Sequence, residues 1–138
     1  MNRREFKQLA KVRLEEAKSL LDRGHFDGAY YLSGYVVECA LKACIAKLTK
    51  KDDFPPTRRF VEESYTHQLG TLVKTARLEE QLEQEEIKDR DFESNWARVK
   101  RWTEQSRYER HSETESRELF TAIAEKEHGV LQWVKRFW

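Results

Sequence analysis

The chain has 138 residues, 37% charged and 38% hydrophobic, with a net charge of +1, 5 Gly and 2 Pro. So small a net charge excludes a chain-wide pull on nucleic acid and leaves the steering of any anionic ligand to local asymmetry. So few turn formers exclude an all-β fold, and the length predicts one domain, residues 1–138, whose core needs neither metal nor disulfide. Cys39 and Cys44 are five residues apart, which on a helix turns them about 140° from each other. They cannot pair there, and a reduced, cytoplasmic setting is expected. The charged start, Met1 to Glu5, leads into no apolar run, so neither a signal peptide nor a membrane span is predicted.

The first predicted helix runs from about Arg3 to Arg23. Phe6, Ala10, Leu14, Ala17 and Leu21 form one apolar face, and Gly24 is a natural stop. The second, about Phe26 to Thr49, is apolar or small on nearly every side, as a central helix must be. Within it, Gly28, Ser33 and Gly34 permit close approach of a neighbour or of a second subunit. Lys50 to Tyr65 reads as a long loop, because Lys50-Lys51-Asp52-Asp53 is charged and Pro55-Pro56 cannot continue a helix. A third helix starts near Thr66 and carries Leu69, Leu72, Val73 and Ala76. The acid-rich stretch Glu79 to Glu86 reads as solvated connector or helix surface. A fourth helix spans about Asp89 to Glu104, with Phe92, Trp96, Val99 and Trp102 or Thr103 on one side. Ser106 to Thr114 is polar apart from Tyr108. A last helix runs from about Glu115 to the C-terminus, with Gly129 as its weak point. Together these predict an all-α, up-and-down antiparallel bundle of about five helices.

Three groups of residues could carry chemistry. Glu38 and Lys42 are spaced for a helical ion pair inside the most apolar helix, with Tyr31 and Tyr35 on the same stripe. The plainer reading is a buried pair that fixes helix register; the other is a polar seam lining a cleft. Arg107-Tyr108-Glu109-Arg110-His111 offers a bidentate phosphate binder, an aromatic that can stack on a base, and an imidazole that can move a proton. An Arg and a His beside one phosphate suffice to cleave RNA without metal. The plainer reading is a solvated loop with Arg107 reaching back to Glu38. The third group interleaves Trp96, Arg98, Lys100, Arg101, Trp102, Arg107, Tyr108 and Arg110, either along a nucleic-acid backbone or as core aromatics beside a wet face. His67 is expected to cap or pack, and His128 to lie on the surface or between helices. No zinc-like Cys/His spacing, phosphate loop, dinucleotide fingerprint or nucleophile elbow occurs, so neither metal nor cofactor is expected.

Gly24 to Ala46, with Gly34-Tyr35 and Glu38-Cys39-Ala40-Leu41-Lys42-Ala43, resembles the second helix of HEPN domains (higher eukaryotes and prokaryotes nucleotide-binding). His67-x-Leu69, the segment Trp96…Trp102…Arg107-Tyr108 and the final helix are similar to later parts of that family. The resemblance implies a five-helix bundle that dimerises. Members occur in toxin–antitoxin pairs, often beside a nucleotidyltransferase, or in defence systems. Catalytic members are metal-independent endoribonucleases with an Arg and a His separated by four to six residues. On that pattern Arg107 would stabilise phosphate, His111 would be acid or base, and Glu38 and Lys42 would line the cleft.

Here three residues separate Arg107 from His111. The leading expectation is therefore binding of RNA or nucleotide without efficient catalysis, in a homodimer, with a nucleotidyltransferase or antitoxin as possible partner. The site would comprise Arg107, His111, Glu38, Lys42, Tyr31, Tyr108 and Arg110. The alternatives are a toxin-like endoribonuclease and a module binding a partner through Trp133, Phe137 and Trp138.

Overall fold

The computed structural model describes residues 1–49 and 56–138, and every regular element in them is helical. There are eight α-helices and one 3-10 helix among the described residues. In chain order they are α1 (Arg3–Asp22), α2 (Phe26–Leu48), α3 (Arg58–Ser64), α4 (Leu69–Thr75), α5 (Glu79–Lys88), α6 (Arg90–Val99), the 3-10 helix Glu104–Tyr108, α7 (Glu113–Ala124) and α8 (Val130–Lys135).

α1 begins at a capping box. The Glu5 amide donates to Asn2 Oδ1 at 2.9 Å, and the Asn2 amide donates to Glu5 Oε2 at 2.7 Å. It ends in a Schellman motif: the amides of Gly24 and His25 donate to the carbonyls of Leu21 and Leu20 at 3.1 and 2.9 Å. Gly24 stands at φ +79°, where an L side chain is strained. The chain then reverses into α2, which packs against α1, α4, α7, α8 and the 3-10 helix. Twelve α2 residues are buried, spread over all its sides, so it is the central helix expected. Cys39 and Cys44 are buried and unpaired on it. Burial pushes both thiols up to about 11. Gly34 serves a neighbour within the chain: a Cβ there would lie 2.2 Å from the Trp102 indole.

The helix count exceeds five because three expected stretches are subdivided or helical. The segment expected to be a loop contains α3, capped by Thr57 Oγ1, which accepts from the Phe60 amide at 3.2 Å. Its Arg58 and Arg59 pair with Glu62 and Glu63 one turn on, and Phe60 packs on the core. Lys50 to Pro55, with their charges and first proline, lie outside the described residues. The acid-rich stretch is α5, anchored by Leu78 and Leu82 and by Arg136, whose guanidinium reaches Glu85 at 3.2 Å. The expected last helix is two. The chain leaves α7 at Glu125, and Gly129 begins α8; a Cβ at Gly129 would meet the Glu125 carbonyl oxygen at 2.2 Å. Gly129 is thus a packing requirement of the turn rather than a weak point. His128 closes that turn onto α6: its Nδ1 lies 2.6 Å from Asp89 Oδ2, and its carbonyl accepts from Asn95 at 2.9 Å.

Of the three aromatics named for an alternative partner-binding patch, one is buried and two are half-buried. Trp133 is buried against Phe92 and Phe137, and Phe137 and Trp138 pack on the core. No helix among the described residues is long and apolar enough to cross a membrane.

Candidate functional site

Residues 31, 35, 38 and 42 fall on one stripe of α2, and the fold builds a polar seam along it. Glu38 is 2% exposed. Its Oε1 accepts from Lys42 Nζ at 3.0 Å and lies 2.9 Å from His67 Nδ1. His67 Nε2 lies 3.0 Å from Glu104 Oε2. The seam is therefore a chain of four ionisable groups, Lys42–Glu38–His67–Glu104, running from the core to the surface. Glu38 Oε2 and Trp102 Nε1 are both buried without a hydrogen-bond partner among the described residues. A cleft of about 420 Å³, lined by Thr66, His67, Gln68, Thr103, Glu104 and Gln105, opens at the outer end.

The aromatic part of the seam sits closer to the start of α2. Tyr31 stacks at 6.2 Å on Tyr35 and at 6.0 Å on Trp102. Burial raises the Tyr35 hydroxyl to about 12, so it stays protonated at ordinary pH. Arg107, at the end of the 3-10 helix, is exposed, with its guanidinium 4.9 Å over the Tyr108 ring. The neighbouring Tyr108, then a hydrogen bond with Tyr31, hold its pKa above the ordinary value. Tyr108 is 74% exposed, and Arg110 is also exposed. Neither Arg107 nor Arg110 has a carboxylate partner among the described residues. Arg107 does not reach back to Glu38, whose Oε1 takes Lys42 and His67 instead.

His111 is placed elsewhere. Its side chain is 7% exposed and its ring stacks on Tyr30 at 3.7 Å with a 9° interplanar angle. Its Nδ1 lies 3.3 Å from Glu115 and its Nε2 3.7 Å from Glu109, while its amide donates to Asp27. Tyr30 and Tyr31 are consecutive on α2 and point about 100° apart. Extended Glu109 separates the two side chains, so Arg107 goes to Tyr31 and His111 to Tyr30. Burial, then the nearby Glu115 charge, raise the Tyr30 hydroxyl. His111 thus works as a wedge at the start of α7, where Ser112 and Glu115 form a capping box.

The basic–aromatic interleaving divides into core and wet face. Trp96 and Trp102 are buried, and Arg98 pairs with Glu118 at 2.5 Å. The groups that sequence reasoning missed are His67 and Glu104; the His67-x-Leu69 pattern was the one available signal. Nor did the spacing of carboxylates show Asp89, Asp91 and His128, which bring one ligand atom each within 4.8 Å of one another. Asp89 Oδ1 accepts from the amides of Asp91 and Phe92 and its Oδ2 faces His128, so this group already closes on itself as a clip.

Comparison with curated proteins and with solved structures finds no match. The HEPN domain family model matches residues 4–137. The Glu38–Lys42 seam, the His67 that answers it and the Trp102 and Arg107-Tyr108 segment all fall within that match, and the chain belongs to the HEPN family, whose functions are nucleotide- and RNA-related.

Proposed function

We propose that this chain binds RNA or nucleotide through the Arg107–Tyr108 surface and does not cleave it efficiently. The observation that carries this reading is the state of Arg107: exposed, without a carboxylate partner among the described residues, and spread over an exposed aromatic ring. A free guanidinium takes a phosphate bidentately, and a tyrosine ring offers a face for a base. The adjoining cleft is also lined by the exposed Thr103 and Gln105, whose hydroxyl and amide offer donors and acceptors to a base edge or ribose hydroxyl.

Catalysis would need a second group beside the same phosphate. His111 is stacked, flanked by Glu109 and Glu115, and turned toward Tyr30, so it has no free approach to a 2′-hydroxyl held at Arg107. A toxin–antitoxin or defence setting, a homodimer and a nucleotidyltransferase or antitoxin partner are parts of the same proposal and rest on the family.

The test is anisotropy of labelled single-stranded RNA, with mononucleotides as competitors, for the wild type and for Arg107→Ala and Tyr108→Ala. Each substitution is expected to weaken binding by about 10-fold or more. Incubation in excess EDTA is expected to leave the RNA intact. Cleavage giving 2′,3′-cyclic phosphate ends, lost in Arg107→Ala and His111→Ala, would replace this reading with the endoribonuclease.

A further inference from the structure

The near-zero net charge conceals a strongly segregated surface on α1. Residues 1–14 hold Arg3, Arg4, Lys7, Lys11 and Arg13 against a single carboxylate, Glu5. Glu5 is engaged in the capping box, and Arg13 pairs with Glu16 at 2.7 Å. Arg3, Arg4, Lys7 and Lys11 have no side-chain carboxylate partner among the described residues, and positions 4, 7 and 11 share one face of the helix. With Asn2 and Gln8 the four line a concavity of about 500 Å³. The C-terminal segment completes it. Arg3 donates to the main-chain oxygen of Trp138, and the ammonium groups of Lys7 and Lys135 lie 5.2 and 5.6 Å from the Trp138 ring centroid. The Trp138 ring thus gathers cations from α1 and α8.

We infer that this α1–Trp138 face is a second RNA-binding surface, one that follows the phosphate backbone without reading bases. It rests on the RNA reading above and narrows it to a polymer. Cations clustered without counter-charges repel one another and gain most from a polyanion whose condensed counterions they release. The face also lies far from Arg107. Arg107 lies near Tyr31, close to the start of α2, whereas Phe6 of α1 shares a cleft with Ile45 near its end. The 14 residues from Tyr31 to Ile45 span about 20 Å at 1.5 Å each. One ligand touching both places must be a chain several nucleotides long.

The experiment measures the salt dependence of RNA affinity for the whole chain. The variants are Arg4→Gln/Lys11→Gln, which leaves Lys7 on Trp138, and the triple with Lys7→Gln; thermal melts check that both are folded. For single strands the slope of log K against log salt falls by about 0.7 for each phosphate no longer neutralised, so reductions of about 1.4 and about 2 are expected. An unchanged slope in folded variants, while Arg107→Ala still weakens binding, overturns this inference and leaves the Arg107 site standing. Reduced slopes with Arg107→Ala at wild-type affinity support the α1 face and sink the Arg107 site instead. No RNA binding by the wild type overturns both. Binding only to vesicles containing phosphatidylglycerol, abolished in the triple variant, would reassign the face to an anionic membrane surface.

Discussion

Replacing Gly34 with alanine tests the packing that underlies the proposed site. The added Cβ would sit 2.2 Å from the Trp102 ring, over 1 Å inside an ordinary carbon–carbon contact. Trp102 is 1% exposed and stacks on Tyr31, so it has no empty space to enter. If the indole is driven out, the loss approaches that of truncating a buried tryptophan, about 3–5 kcal/mol. Alanine returns about 1 kcal/mol through better helix propensity. A net loss of about 2–4 kcal/mol is expected, which for a domain of this size lowers the melting temperature by roughly 10 °C. Urea unfolding followed by circular dichroism measures it. The decisive comparison repeats the substitution in a Trp102→Ala background, where every clashing atom, Cγ included, is gone and Gly34→Ala should be neutral or mildly stabilising. Equal destabilisation in both backgrounds would refute the reasoning.

The His128–Asp89 clip makes stability depend on pH in a specified direction. Its hydrogen bond to Asp89 raises the His128 pKa above 6.5. The contribution is therefore complete below about 6.5 and fades as pH rises through the raised value. The partner effect lowers the Asp89 pKa, so acidification removes its share only below the usual carboxylate range. The melting-temperature gap between wild type and His128→Gln should accordingly be wider at pH 6 than at pH 8.5. Arg77 ends α4 at φ +59° in a Schellman turn, its amide donating to the Lys74 carbonyl and that of Leu78 to Val73. Arg77→Gly should stabilise the chain by roughly 0.5–1 kcal/mol in denaturant titration, and any loss would contradict the strain argument. Glu38→Gln keeps the shape of the side chain but removes the charge that Lys42 and His67 share, and should cost about 1–3 kcal/mol in the same titration.

The long helices were legible because their signals are local. α1 has its capping residues, its four-residue spacing and Gly24 within one stretch, and α2 declares its central place by being apolar on all sides. α3 was not legible, since a seven-residue helix offers one cap, Thr57, and one anchoring aromatic, Phe60. The break between α7 and α8 was marked only by the polar run 125–128 and by Gly129, which read as a weak point; the close backbone approach at Gly129 that makes it a turn is visible only in the fold. The same division holds at the site. Tyr31, Tyr35, Glu38 and Lys42 lie on one helix, so their spacing was enough to group them. The partner of Glu38 comes from His67, 29 residues away, and only the tertiary fold brings it there. Arg107 and His111 are close in sequence, yet the chain extends at Glu109, one of the three residues between them, and the two side chains meet different tyrosines.

The two cysteines of α2 give the molecule a built-in gauge of its own opening. Both sulfurs are shut inside the bundle and hold their protons at neutral pH, so a thiol reagent finds no thiolate to attack in the closed state. Modification must wait for the central helix to part from its neighbours. The rate of labelling of unaltered protein therefore counts those openings, and comparing Cys39 with Cys44 by peptide mass spectrometry would show whether the half of α2 nearer the tyrosines loosens before the half nearer α8.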